Sequence, residues 1–80
     1  MRCQEYDFIE IVCLFHYPVR LTLKSGESLE GTALDTVWDD ARQECLTLKQ
    51  GKTVRSVVLA SLMMLEVLVE NPHFQLARFD

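Results

Sequence analysis

From Pro18 onward apolar and polar residues alternate. Val19, Leu21 and Leu23 interleave with Arg20, Thr22 and Lys24, the period of a strand with one face buried. Ser25-Gly26 then supplies a tight turn, because glycine reaches positive φ without steric cost. A second strand runs from Glu27 to about Val37. Leu29, Gly31 and Ala33 share one face before the alternation slips, and a glycine inside a strand marks a bend or bulge. Residues 38–43 are polar apart from Trp38 and Ala41 and read as a loop. A third strand covers Glu44 to Lys49, with Leu46 and Leu48 inward, and Gln50-Gly51 turns into a fourth over Lys52 to Val58. Leu59-Ala60-Ser61 reads as a brief helical turn, and Met63 to Val69 as a fifth strand with Leu65, Val67 and Val69 on one face. Before Pro18 the period is different. Phe8, Ile11, Val12 and Phe15 recur at i, i+3, i+4 and i+7, which predicts a helix over 5–16. Asp7 with Glu10 three residues later has the spacing of a capping box, with Asp7 as N-cap. Tyr17-Pro18 is a natural stop, since residues before proline avoid the helical region.

Five short strands after one helix predict a mainly β chain. The expected form is a single domain over 1–80: a helix at 5–16, a small SH3-like or Sm-like antiparallel barrel of five strands or slightly more over 18–69, and a tail over 70–80. Closure of the barrel would remove its exposed strand edges. In the tail, Phe74, Leu76 and Phe79 nearly alternate, as in a further strand or an exposed segment that dimerises. An 80-residue chain buries only about 60–65% of its unfolded surface, so either its core is compact or a partner covers part of it. Hydrophobic residues at 49% and charged residues at 25% argue against disorder. No apolar run approaches the ~20 residues that span a bilayer. The opening segment carries acids where a secretory signal would be apolar. Three cysteines, at 3, 13 and 45, are odd in number and lack paired zinc spacing. A reduced, cytoplasmic protein without a membrane attachment is the expectation.

Candidate chemistry is sparse. There is no P-loop, GxGxxG, HExxH or EF-hand pattern. His16 and His73 lie far apart in the chain. Cys13 and His16 stand at i and i+3, but nothing nearby supplies an orienting third group or an oxyanion hole. Cys13 and Cys45 read as inert buried thiols. The expectation is a protein that is not an enzyme and has no cofactor and no metal site. Acids outnumber bases by 12 to 8, a net charge of −4, which counts against a general nucleic-acid binder. Glu5, Asp7 and Glu10 cluster beside Tyr6, with only Arg2 opposing them. Two readings are open for that cluster. It is a capped, solvated helix face with acids near a helix N-terminus, or it is a protein-binding surface whose carboxylates pair with basic side chains and whose tyrosine is an aromatic anchor. Asp39 and Asp40, after Trp38, read either as a solvated loop or as the rim of an interface.

The run Cys3-Gln4-Glu5-Tyr6-Asp7-Phe8-Ile9-Glu10-Ile11-Val12-Cys13, followed by His16, by Leu21-Thr22-Leu23-Lys24-Ser25-Gly26-Glu27, and by Leu29 and Asp35, resembles the Rof, or YaeO-like, family of Rho-binding antiterminators. The pattern is C-x-[DE]-Y-D-x-[IL]-E-[IL]-x-C and then L-x-L-K-x-G-E. The similarity is gapless from Cys3 to about Val37, looser through the hairpin at Gly51, and fades after about Val67. It implies an Sm-like barrel with an N-terminal helix. It also implies a stoichiometric inhibitor of the transcription termination factor Rho, monomeric when free. An acidic surface would obstruct the primary RNA site on Rho's N-terminal OB-fold, and the matching positions are Tyr6, Asp7 and Glu10, with Glu5 in place of another acid. Three features depart from the pattern: the apolar Phe8, the acids in the loop from Trp38 to Arg42, and the tail. The rival is an Sm-like protein that binds RNA directly. Gly26-Glu27, Gly31 and Asp35 are faintly similar to the first Sm motif and Val54-Arg55-Ser56 to the second, but the asparagine expected after the aspartate is missing and Ser56 replaces a glycine. The acidic balance also opposes that reading, so no direct nucleic-acid partner is expected.

Overall fold

The alternation of apolar residues becomes a six-stranded antiparallel sheet in the computed structural model, which describes residues 1–79; Asp80, the last residue of the expected tail, lies outside them. Helix α1 (Cys3–Leu14) precedes β1 (Pro18–Leu23), β2 (Ser28–Trp38), β3 (Glu44–Gln50) and β4 (Thr53–Val58). A 3-10 turn (Leu59–Ser61) leads into β5 (Leu62–Val67), and β6 (Leu76–Arg78) comes last. The order across the sheet is β4-β3-β2-β1-β5-β6. Inward residues at every second position make the core: Val19, Leu21 and Leu23 from β1, Leu29 and Ala33 from β2, Leu46 and Leu48 from β3, Leu65 and Val67 from β5, and Ala77 from β6. Ile9 and Val12 of α1 cover it, and both are fully buried.

The expected closed barrel is corrected: the sheet curls but does not close. The curl follows from chain length. β4 and β5 stand four strand spacings apart in the sheet order, roughly 19 Å in a flat sheet. The link from Val58 to Leu62 reaches at most about 14 Å, so the sheet must bend toward itself. Lys24 N–H donates to Ser61 O (2.8 Å) and fastens the turn to the end of β1. What prevents closure is β6. One edge of β5 pairs with β1 from Val19↔Val67 to Leu23↔Leu62, and the other takes β6 through Leu65↔Ala77 and its neighbours. No edge of β5 is left for β4. The tail thus supplies a sixth strand, and its inward residues are Ala77 and Phe79, whereas Leu76 is exposed.

The long second strand is bent. Residues 28–32 pair with β1, residues 32–38 pair with β3, and the register slips between Ala33 and Asp35. At Gly31 a Cβ would lie 2.5 Å from Lys49 O and 2.7 Å from Leu48 Cγ, so the glycine permits close approach of two strands.

The helix is displaced from its expected bounds. It begins at Cys3, and its N-cap is Arg2, not Asp7. Glu5 Oε1 accepts from Arg2 N–H (2.9 Å), and Glu5 N–H and Tyr6 N–H donate to Arg2 O. The buried stripe is Glu5, Ile9 and Val12, about one residue round from the stripe read by periodicity; Phe15 is exposed. Pattern reading slips here because residues 8–15 are apolar almost all the way round, so the sheet decides which side is covered. The helix ends on β2: His16 takes a positive φ of 51°, and its Nδ1–H donates to Ala33 O (3.1 Å).

Candidate functional site

The outward ridge of α1 carries Cys3, Asp7, Glu10 and Leu14, at i, i+4, i+7 and i+11, and all four are exposed. Ile11 borders the ridge on one side and Tyr6 on the other. Asp7 stands in the second turn and Glu10 in the third, outside the first turn where the helix dipole and capping stabilise an acid. Neither is paired with a basic side chain among the described residues. Other acids are matched: Arg20 bridges Glu30 (3.0 Å) and Glu66 (2.9 Å), and Arg55 meets Glu27 (3.3 Å). Two exposed carboxylates flanked by Leu14, which is 73% exposed, therefore have no evident structural task.

Glu5 is placed differently from its neighbours. It is 8% exposed, faces the fold, and holds the helix start, so its carboxylate is not offered on the ridge. Tyr6 is half-buried and borders Glu44 at the start of β3; the interaction of its hydroxyl with the Glu44 carboxylate, then burial, then the negative charge of Glu44, push its pKa up. Asp39 is half-buried in the loop between β2 and β3. It accepts Gln43 N–H at Oδ1 (2.8 Å) and donates its own N–H to Gln43 O (3.0 Å). Its other oxygen, Oδ2, faces Cys45 Sγ at 3.8 Å. Asp40 beside it is exposed. The structure thus brings Tyr6, Asp7 and Glu10 to one side of the molecule and sets Glu5 and Asp39 to local structural work.

Two acids join the helix that the sequence did not group with it. Glu44 does so through Tyr6. Asp35 does so across a groove of about 540 Å³ between α1 and β2, lined by Glu10, Cys13, Leu14, His16, Leu34 and Asp35 among others. The slip after Ala33 presents Asp35 there, with Oδ1 accepting Thr36 N–H (2.8 Å). Cys13, half-buried on the groove wall, has its thiol pushed up to about 11, by burial first and by Asp35 second. Cys45 is buried, and its pKa is raised mainly by burial. Thiols held protonated in this way are poor nucleophiles. Among the described residues no three His, Cys, Asp or Glu side chains converge as metal ligands, and no helix is long and apolar enough to cross a membrane.

Residues 1–79 match a family model described as Modulator of Rho-dependent transcription termination (ROF). No curated protein matches the chain. Among solved structures, one described as YaeO bound to magnesium, from Vibrio cholerae O395, superposes with a TM-score of 0.90 at 43% sequence identity, covering 94% of this chain and 97% of that one. The family match spans the helix and all six strands: the chain belongs to the ROF family of modulators of Rho-dependent transcription termination.

Proposed function

We propose that this chain inhibits Rho-dependent termination by binding Rho directly, with the ridge of α1 seated on the N-terminal OB-fold where Rho captures single-stranded RNA. An OB-fold RNA site combines a basic groove with aromatic platforms. A protein that competes for it presents carboxylates where phosphates would lie, together with apolar surface for packing. The observation that carries the reading is that Asp7 and Glu10 are exposed, without a basic partner among the described residues and free of capping duty, beside Ile11, Leu14 and Tyr6. Glu5 contributes by fixing the start of the helix, and Asp40 lies on the rim, held by the loop that Asp39 organises. A net charge of −4 favours encounter with a basic site and makes the association salt-sensitive.

The test is charge reversal. Asp7→Lys with Glu10→Lys is expected to lower affinity for Rho by roughly tenfold or more, to weaken competition with single-stranded RNA, and to flatten the salt dependence. The melting temperature should stay near wild type, because both side chains are exposed. Unchanged Rho affinity in a folded double variant would remove the ridge from the interface.

A further inference from the structure

The most exposed aromatic surface of the molecule lies outside the ridge. Trp38, at the end of β2, is 68% exposed. It stands directly opposite Glu44 in the β2–β3 register, and directly opposed residues of an antiparallel pair project to the same face. Tyr6, Trp38, Gln43, Glu44, Val58 and Leu59 are among the residues lining one shallow depression of about 190 Å³. Tyr6 and Glu44 thus meet at this depression from the helix side and the sheet side, and the exposed Asp40 lies in the loop that leads into β3. A large aromatic face left in water beside a carboxylate on the same face of the sheet has a specific complement. A guanidinium stacks on an indole and pairs with a carboxylate at the same time.

We propose that Trp38 and Glu44 form a receptor for an arginine side chain of a protein partner. Under the reading above that partner is Rho, and the depression is a second contact next to the helix ridge, bridged to it by Tyr6. Charge complementarity decides between occupants. A nucleic-acid base could stack on Trp38, but its phosphates would then approach Glu44 and Asp40, whereas an arginine uses the aromatic face and the carboxylate together. Tryptophan and arginine are also the residues that dominate the energetics of protein interfaces.

Trp38 is the only tryptophan of the chain, so fluorotryptophan substitution gives a single fluorine resonance that reports on this depression alone. Titration of the full chain with a Gly-Arg-Gly amide is expected to shift that resonance, and its neutral citrulline counterpart to leave it in place. Glu44→Gln should reduce the arginine response severalfold. Trp38→Ala should lower Rho affinity about fivefold or more with unchanged melting, since the ring is mostly in solvent. Equal responses to arginine and citrulline would overturn the proposal, as would a response to oligouridylate RNA without one to arginine. If Trp38→Ala binds Rho as wild type does while the Asp7→Lys, Glu10→Lys variant does not, the ridge stands and the second contact falls. An arginine-specific response in a chain that does not bind Rho would keep the receptor and overturn the Rho reading.

Discussion

At Cys13 the surroundings of a single side chain set a measurable property. Its thiol is pushed from about 9.0 up to about 11, first by burial against the helix–sheet seam and then by the negative charge of Asp35. The folded chain therefore holds this proton more tightly than the unfolded chain. Between those two values unfolding releases a proton, so stability falls as pH rises through the window and is fully present below it. The side chain is only half-buried, and solvent screening limits the effect to about 1 kcal/mol or less. Denaturation midpoints of wild type and Cys13→Ala, compared from pH 8 to 11, should show wild type losing more stability than the variant above pH 9. Parallel curves would mean that the seam does not hold the proton. Reaction with iodoacetamide at pH 8 should likewise be slower at Cys13 than at the exposed Cys3.

Among the elements, the tail departs most from its sequence pattern. Phe74 packs on Phe8 of α1, with ring centroids 4.7 Å apart and planes at 59°. His73 stacks on Phe15 at 4.9 Å. Asn71 closes the turn, accepting His73 N–H (2.8 Å) and Phe74 N–H (3.1 Å) at Oδ1 and donating to Val69 O and Phe74 O. The tail is therefore clasped between the helix and β5. Phe74→Ala should cost about 1–2 kcal/mol, lowering the urea midpoint with little change in slope. It should also speed hydrogen exchange at Val67 and Phe79, whose amides donate to Gln75 O and Met63 O. Unchanged exchange at both amides would show that the clasp does not hold β6. β1, β3 and β5 are legible because apolar residues two apart are buried, Leu21 with Leu23, Leu46 with Leu48 and Leu65 with Val67, whereas in β4 only Val57 is buried and the turn at Gly51 marks the strand. β6 was ambiguous because its inward residue next to Phe79 is the small Ala77, while the larger Leu76 points to solvent. The helix cap escapes the pattern for a related reason: Asp7 and Glu10 have capping spacing, but the helix start is held by the Glu5 carboxylate accepting Arg2 N–H, and arginine is not a residue that announces an N-cap. The acids of the ridge could be read from sequence. Their association with Asp35 and Glu44 could not, because it depends on the slip in β2 and on a tyrosine reaching across to another strand.

For the molecule as a whole, charge and topology divide the surface into two kinds of region. Glu27, Glu30 and Glu66 are matched by Arg20 and Arg55, while Asp7 and Glu10 on the helix ridge, and Asp35 and Glu44 beside it, have no basic partner among the described residues, so the negative balance is concentrated where docking is proposed. The order of strands has a further consequence, in time rather than in space. β1 to β4 form three successive hairpin pairings between neighbours in sequence, whereas β5 must return to β1, joining Val67 to Val19. Local pairings close short loops and form early; distant ones pay more loop entropy and form late. The hairpin set should then make up the folding nucleus. Leu48→Ala in β3 is expected to slow refolding, whereas Ala77→Gly in β6 should mainly speed unfolding. The opposite partition in a chevron analysis would place the nucleus at the β1–β5 seam. During synthesis the helix and four strands emerge before β5 exists, and until it arrives Val19 and Leu21 have an open flank. The nascent chain thus passes through an interval in which its N-terminal helix is complete but its core is still open on one side.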